Sequence, residues 1–252
     1  MKDQKVKKKK AEPIEIMRIQ KAFSTFGVMS RRATEQAILD RRITVNAKPA
    51  TVGLRVDCGN DTILLDGKRV GFCAQKKLYV MLNKPRGYVS SLKDEHEKRF
   101  AVDLLNDIGA RLYNVGRLDK NSEGLLLFTN DGNFANLVMH PKNKIIKVYK
   151  VTVSPKITED QLVQLSSKFL LGKEELALID VTVQKELIDR STLLIKLSQG
   201  RNRQIRRMCE MVDLKVLRLK RIALGDLRLA ALQVGQYRHL TEAEVAALCR
   251  AG

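Results

Sequence analysis

Apolar residues return along this chain in two rhythms, every three or four positions near the amino terminus and every second position through much of the remainder. Ile16, Ile19, Phe23 and Phe26 keep the first rhythm and predict a helix ended by Gly27. Ser30 is placed to cap a second helix running through Ala33, Ala37 and Ile38 to Asp40. Ile43-Thr44-Val45, a turn at Asn46-Ala47-Lys48, and alternating Val52, Leu54 and Val56 come next. Asp66-Gly67, between Ile63-Leu64-Leu65 and Lys68-Arg69-Val70, is a hairpin signal. Beyond a polar connector at 71–77, strands are predicted at 78–82 and 111–115, with a polar loop at 93–99 and a short helix at 102–108 between them.

Three stretches carry candidate chemistry. GRLDKNSEGLLLFTNDG, residues 116–132, holds Asp119 between a glycine-flanked turn and Leu125-Leu126-Leu127-Phe128, an apolar run of the length of a buried strand. An ionised acid just outside such a strand stands near a low-dielectric core and needs a partner. Taken alone, an aspartate in Leu-Asp-Lys-Asn-Ser is more often local turn chemistry. A short helix at 133–139, stopped by Pro141, comes after it. In KVYKVTV, residues 147–153, Val148, Lys150 and Thr152 share one face, and Lys147, Tyr149, Val151 and Val153 the other. Tyr149 therefore points into the core or a cleft. Thr158-Glu159-Asp160-Gln161 is a capping box that opens a helix reaching about Phe169, with strands after it at 177–184 and 192–197. GRNRQIRRMCEMV, residues 200–212, starts a helix with an apolar stripe at Ile205, Met208 and Val212. Arg203 and Arg207 share one face of it, while Arg206 lies toward the apolar side, where a guanidinium needs a carboxylate; Asp119 is a candidate.

Charge changes the picture. The 47 lysines and arginines against 28 acids give a net charge of +19, more than solubility asks for, and point to a polyanionic partner. Aromatic residues at 5%, no tryptophan and no apolar run near the ~20 residues of a membrane span favour nucleic acid over a membrane surface. MKDQKVKKKK has the positive start of an export signal without the apolar segment, so residues 1–13 read as a flexible basic arm. Cys58, Cys73, Cys209 and Cys249 show no C-x-x-C spacing and the three histidines stand singly, which suggests neither a zinc site nor a disulfide framework and fits a reducing cytoplasm. Arg31 and Arg32 sit at the positive end of the second helix's dipole, where a phosphate is the natural compensator.

Residues 14–70, two helices carrying Ser30-Arg31-Arg32 and a small twisted sheet, resemble the αL RNA-binding domain of a ribosomal small-subunit protein, tyrosyl-tRNA synthetases and several RNA-modifying enzymes. That resemblance implies that Arg31, Arg32 and Lys48 contact RNA backbone. NKPRGYVSS, GRLDKNSEGLLLFTNDG, KVYKVTV and GRNRQIRRM, in that order, resemble the ribosomal pseudouridine synthases of the RsuA and RluB/RluF type. The resemblance implies an α+β fold, in which a linker at 71–77 joins the αL domain to a catalytic domain at 78–252. That domain is an antiparallel-rich mixed sheet with flanking helices and a central basic cleft. It puts the family's nucleophilic aspartate on Asp119, its base-stacking tyrosine on Tyr149 and the basic partner of the aspartate on Arg206. Lys84, Arg86, Arg117, Arg201, Arg203 and Arg207 are expected to hold RNA, and at Arg203 some relatives carry histidine. The implied activity is isomerisation of a flipped-out uridine to pseudouridine by a monomer, with neither metal nor organic cofactor. Covalent attack by Asp119 and removal of a sugar proton are both open. RNRQIRRM is most like large-subunit enzymes, which favours 23S-type ribosomal RNA over small-subunit RNA or tRNA.

Two other classes share the basic character. A metal-dependent nuclease would use Asp119, Glu123 and Asp131 as ligands. A non-catalytic RNA-binding or ribosome-assembly factor would keep the fold and modify nothing.

Overall fold

The computed structural model describes residues 16–73, 75–91, 97–167, 169–171, 174–176, 178 and 180–250; the basic arm and residues 93–96 of the polar loop lie outside them. The chain divides into two compact units, Met1–Lys76 and Lys77–Gly252.

In the first unit β1 (Ile16–Arg18) runs into α1 (Ile19–Thr25), followed by α2 (Arg31–Leu39), β2 (Ile43–Val45), β3 (Lys48–Pro49), β4 (Arg55–Asp57), β5 (Ile63–Leu65) and β6 (Lys68–Arg69). The first helix starts later than the apolar rhythm predicts. Met17 pairs with Val56 in β4 and turns inward, leaving Ile16 52% exposed. Ile19 and Phe23 keep the stripe and pack with Ala37, Ile38 and Ile43. Ser30 caps α2 as expected, its Oγ accepting the Ala33 N–H at 3.0 Å. Asn46 and Ala47, and again Asp66 and Gly67, have positive φ at both central positions, the geometry of two-residue hairpins. Val52 and Leu54 join no strand, since pairing with β1 begins only at Arg55. Phe72, expected in the connector, packs on Phe23 and Phe26 with ring centroids 5.8 and 5.2 Å apart.

The second unit is built on β7 (Tyr79–Lys84), β8 (Tyr113–Val115), β9 (Glu123–Thr129), β10 (Lys147–Ser154), β13 (Asp180–Glu186), β14 (Ser191–Leu197), β15 (Lys215–Leu224), β16 (Leu227–Arg228) and β17 (Tyr237–His239). A 3₁₀ turn (Ala101–Ile108), α3 (Gly132–Met139), α4 (Glu159–Ser166), α5 (Gln204–Glu210) and α6 (Glu242–Arg250) connect or flank these strands. The helix expected to reach Phe169 stops at Ser166, and Phe169 opens β11 (Phe169–Leu171), paired with β12 (Glu174–Leu176). Among the described residues the sheet order is β13-β14-β10-β15-β9-β7-β17, with β8 on β9 and β16 on β15. Leu126 and Phe128 pack with Val80 and Val151 on one face, while Leu125 and Leu127 pack with Met81 and Phe134 on the other. Cover on both faces explains why this strand is apolar without alternation.

One junction of the sheet differs from the rest. β9 and β15 are parallel and pair over two positions only, Glu123 with Lys220 and Gly124 with Arg221. Gly124 has φ +101, and a Cβ there would lie 2.2 Å from the Arg221 carbonyl oxygen, so only glycine permits the approach. Among the described residues, no helix is long and apolar enough to cross a membrane.

Candidate active site

Asp119 lies in the loop between β8 and β9, and that loop is wrapped around a buried lysine. Lys84, at the end of β7, is 0% exposed. Its Nζ donates to the carbonyls of Ser122 at 2.7 Å, Pro85 at 3.1 Å, Asp119 at 3.2 Å and Lys120 at 3.5 Å. The Ser122 N–H donates back to the Asp119 carbonyl at 2.9 Å, and Ser90 Oγ bonds both backbone groups of Leu118. The backbone that carries the acid is held from both sides. Burial draws the Lys84 pKa down to about 8, against the fields of Asp119 and Glu123. Lys84 is therefore not the RNA contact it was expected to be. Pro85 and Gly87 turn the chain after it, and the lysine belongs to β7 and points inward.

Where the strands part beside the short parallel junction, a cavity of about 550 Å³ opens, inside the roughly 300–1,000 Å³ range of small-ligand pockets. Asp119 and Arg117 line it from the loop, Tyr149 from β10, Arg201 and Arg203 from the segment leading into α5, and Arg221 from β15. Tyr149 is 8% exposed on the inward face of β10 that the alternation predicts, with Val151 and Val153 behind it. Lys147, on the same face, also lines the cavity, and burial with Arg221 nearby draws its pKa down to about 8. Arg203 holds a left-handed backbone, φ +48, at the rim, a conformation uncommon outside glycine and often found at functional sites.

Arg206 is buried, as its place on the apolar side of α5 predicts, yet it makes no direct ion pair with Asp119. Its Nη2 donates to the Asn121 carbonyl at 3.1 Å and its Nη1 to the Val216 carbonyl at 3.3 Å. Burial lowers its pKa, Arg203 adds to the fall, and the charge of Asp119 opposes it from a distance. Arg206 thus ties the Asp119 loop to β15 from behind. Arg86 and Arg117 are exposed, Arg207 donates to the Asn202 carbonyl at 3.3 Å, and Arg86 and Arg207 lie outside the cavity lining. In the first unit Arg31, Arg32 and Lys48 are exposed, with Arg31 and Arg32 in the first turn of α2.

Two of the three acids named for a nuclease are occupied elsewhere. Glu123 is buried against Arg218. Asp131 caps α3, accepting from Asn133 N–H at 3.0 Å, Phe134 N–H at 3.2 Å and the Tyr79 hydroxyl at 3.0 Å. Among the described residues no three His, Cys, Asp or Glu side chains gather to hold a metal. Sequence reasoning missed Arg221. Its signal was an arginine at an inward position of the alternating run Leu219, Arg221, Ala223.

An anchored carboxylate, an aromatic wall and surrounding guanidinium groups in a sheet-centred cavity are the equipment of an enzyme that works on nucleotides. Residues 78–211 match the family described as RNA pseudouridylate synthase. The chain is 37% identical over 236 residues to ribosomal large subunit pseudouridine synthase B of Bacillus subtilis, covering 90% of this chain and 93% of that protein. It is also 37% identical over 237 residues to an uncharacterized RNA pseudouridine synthase of Aquifex aeolicus, covering 93% and 94%. A crystal structure of a pseudouridylate synthase is similar with a TM-score of 0.64 at 26% identity, over 92% of this chain and 99% of that one. The chain therefore belongs to the RNA pseudouridylate synthase family, enzymes that isomerise uridine in RNA.

Proposed function

We propose that this chain converts uridine in large-subunit, 23S-type ribosomal RNA to pseudouridine, with Asp119 as the reacting carboxylate, Tyr149 as the stacking platform and Arg206 as the cation that positions the Asp119 loop. The observation that supports the roles of Asp119 and Tyr149 is the cavity whose lining both join, together with Arg117, Arg201, Arg203, Arg221, Lys147 and a set of apolar side chains; the role of Arg206 is supported by its bond to the Asn121 carbonyl. The uridine is flipped out of its helix and stacks on Tyr149. Its glycosidic N1–C1′ bond breaks, the base turns, and a C5–C1′ bond forms; C5 loses its proton and N1 takes one up. Asp119 serves ionised, by covalent attack or by taking a sugar proton.

Exposed and half-buried arginines at 86, 117, 201, 203 and 207 supply salt-sensitive contacts to the RNA backbone in this account. The first unit acts as an αL RNA-binding domain over residues 14–70, joined through 71–77 to the catalytic domain at 78–252, with Arg31, Arg32 and Lys48 on phosphates. Action as a monomer belongs to the same reading, and four free thiols fit the cytoplasm. The large-subunit target rests on the likeness to the Bacillus subtilis enzyme. Pseudouridine mapping in RNA from cells lacking the protein tests the proposal. The expected result is the loss of one or a few large-subunit pseudouridines, restored by the wild-type chain and not by Asp119→Asn. Losses confined to small-subunit RNA or tRNA would move the target.

A further inference from the structure

The cavity holds two polar groups that the roles above leave unused. Arg221 is only 5% exposed; its Nε donates to the Leu125 carbonyl at 2.7 Å, and its Nη2 has no hydrogen-bond partner. Ser122 is 1% exposed, and its Oγ is likewise unpartnered. Both line the same cavity as Asp119 and Tyr149. Unmade buried hydrogen bonds are costly and uncommon, and two in one cavity wall mark a place that a ligand completes.

The sheet register says which part of the ligand. Tyr149 and Arg221 are direct partners in the antiparallel β10–β15 ladder, so their side chains leave the sheet on the same face. Arg221 is also the parallel partner of Gly124, and the absent side chain there lets the β9 entry, which carries Ser122 two residues earlier, close against it. The bond to Leu125 fixes the guanidinium plane and leaves Nη2 buried without a hydrogen-bond partner. Phosphates suit the exposed arginines at the rim, while a flat base lying on Tyr149 is what reaches a side chain this deep.

We infer that Arg221 and Ser122 read the edge of the flipped uracil. Arg221 Nη2, which can only donate, meets the C4 carbonyl oxygen, and Ser122 Oγ accepts from N3–H. Cytosine presents an amino group where uracil has that oxygen, so two donors would face each other in a buried site, and it is rejected. This rests on the isomerase reading above and adds to it the groups that select the base.

The test uses the full chain and a ribosomal RNA fragment carrying the mapped target uridine, against the same fragment with 4-thiouridine at that position, whose sulfur accepts hydrogen bonds weakly. In single turnover the wild type is expected to slow about 10-fold on the thio substrate, and Arg221→Met to slow about 10- to 100-fold on uridine, with its uridine-to-thio ratio falling to near one. RNA affinity should stay within about threefold, because backbone contacts dominate it. Ser122→Ala removes a hydroxyl that bonds nothing in the free protein, so its melt should match the wild type while its turnover slows about 10-fold; it carries the test where Arg221→Met fails to fold. A full thio penalty retained in Arg221→Met, or wild-type turnover by Ser122→Ala, would overturn the assignment alone. A wild-type chain that isomerises no uridine in any RNA would overturn the isomerase reading and this inference with it.

Discussion

In the first unit Arg31, Arg32 and Lys48 stand exposed, whereas Lys84, Arg206 and Arg221 of the second unit are 0%, 9% and 5% exposed and each donates to backbone carbonyls. Both sets contribute equally to a net charge of +19. Their physical roles are opposite. A solvated guanidinium keeps its donors for a phosphate and costs the fold little if it is lost. A buried one is costly unless it finds acceptors, so it becomes a strut for the carbonyls it meets; Lys84 and Arg206 hold the loop of Asp119 in this way. Composition announced a polyanion and said nothing about which cations would touch it.

The difference can be tested from its strongest consequence downward. Asp119→Asn keeps the loop, because Lys84 bonds the backbone of residue 119 and not its side chain. The fold should survive while tritium release from [5-³H]uridine-labelled RNA falls by about 10,000-fold or more; near wild-type release would remove Asp119 from the chemistry. Lys84→Met leaves four carbonyls around an apolar side chain. Denaturant titration should show a loss of about 3–5 kcal/mol, against a change within about 0.5 kcal/mol for Arg31→Ala. Equal losses would erase the distinction between struts and free cations.

The same lysine gives a pH signature. Its folded pKa, about 8, is below the ordinary 10.5. Between those values the unfolded chain binds more protons than the folded one, so this group's contribution to stability rises with pH across that window. The stability gap between wild type and Lys84→Met should therefore widen from pH 7.5 to 9.5, roughly the window those pKa values bound. Turnover should fall over the same range, as the amine loses a donor from the carbonyl cage. A constant gap would show that Lys84 does not titrate there.

Smaller effects separate stacking from phosphate contact. Tyr149→Ala should weaken RNA binding by about 1–3 kcal/mol, with Tyr149→Phe near wild type; equal affinities would leave Tyr149 a core residue. The double change Arg31→Ala, Arg32→Ala should leave the melt unmoved and reduce the salt slope of RNA affinity by about two. An unchanged slope would take the α2 cap off the RNA.

Much of the local structure was legible because its causes are local. Ser30 caps α2 through a backbone N–H three residues on, Asp66-Gly67 turns by its own positive φ, and Tyr149 faces inward by the two-residue period of its strand. Where short-range signals competed with pairing, pairing won. Ile16 fitted a helical stripe, but residues 16–18 are strand because β4 lies beside them. The carboxylate was visible for the same local reason, a glycine-flanked turn ahead of an apolar strand.

The amino-acid sequence by itself determined the polyanionic partner, the turns and caps, the inward tyrosine and the loop that presents Asp119, since each arises from charge, backbone torsion or periodicity within a few residues. Tertiary structure alone decided that Lys84 bonds Ser122 across 38 positions, Arg206 bonds Asn121 across 85 and Arg221 bonds Leu125 across 96. Those partners depend on β15 lying between β10 and β9 and on Gly124 admitting the parallel contact between β9 and β15. Strand order is a property of the whole sheet, and burial, which turns a cation from a ligand for RNA into a strut for a loop, exists only after the sheet has closed over it.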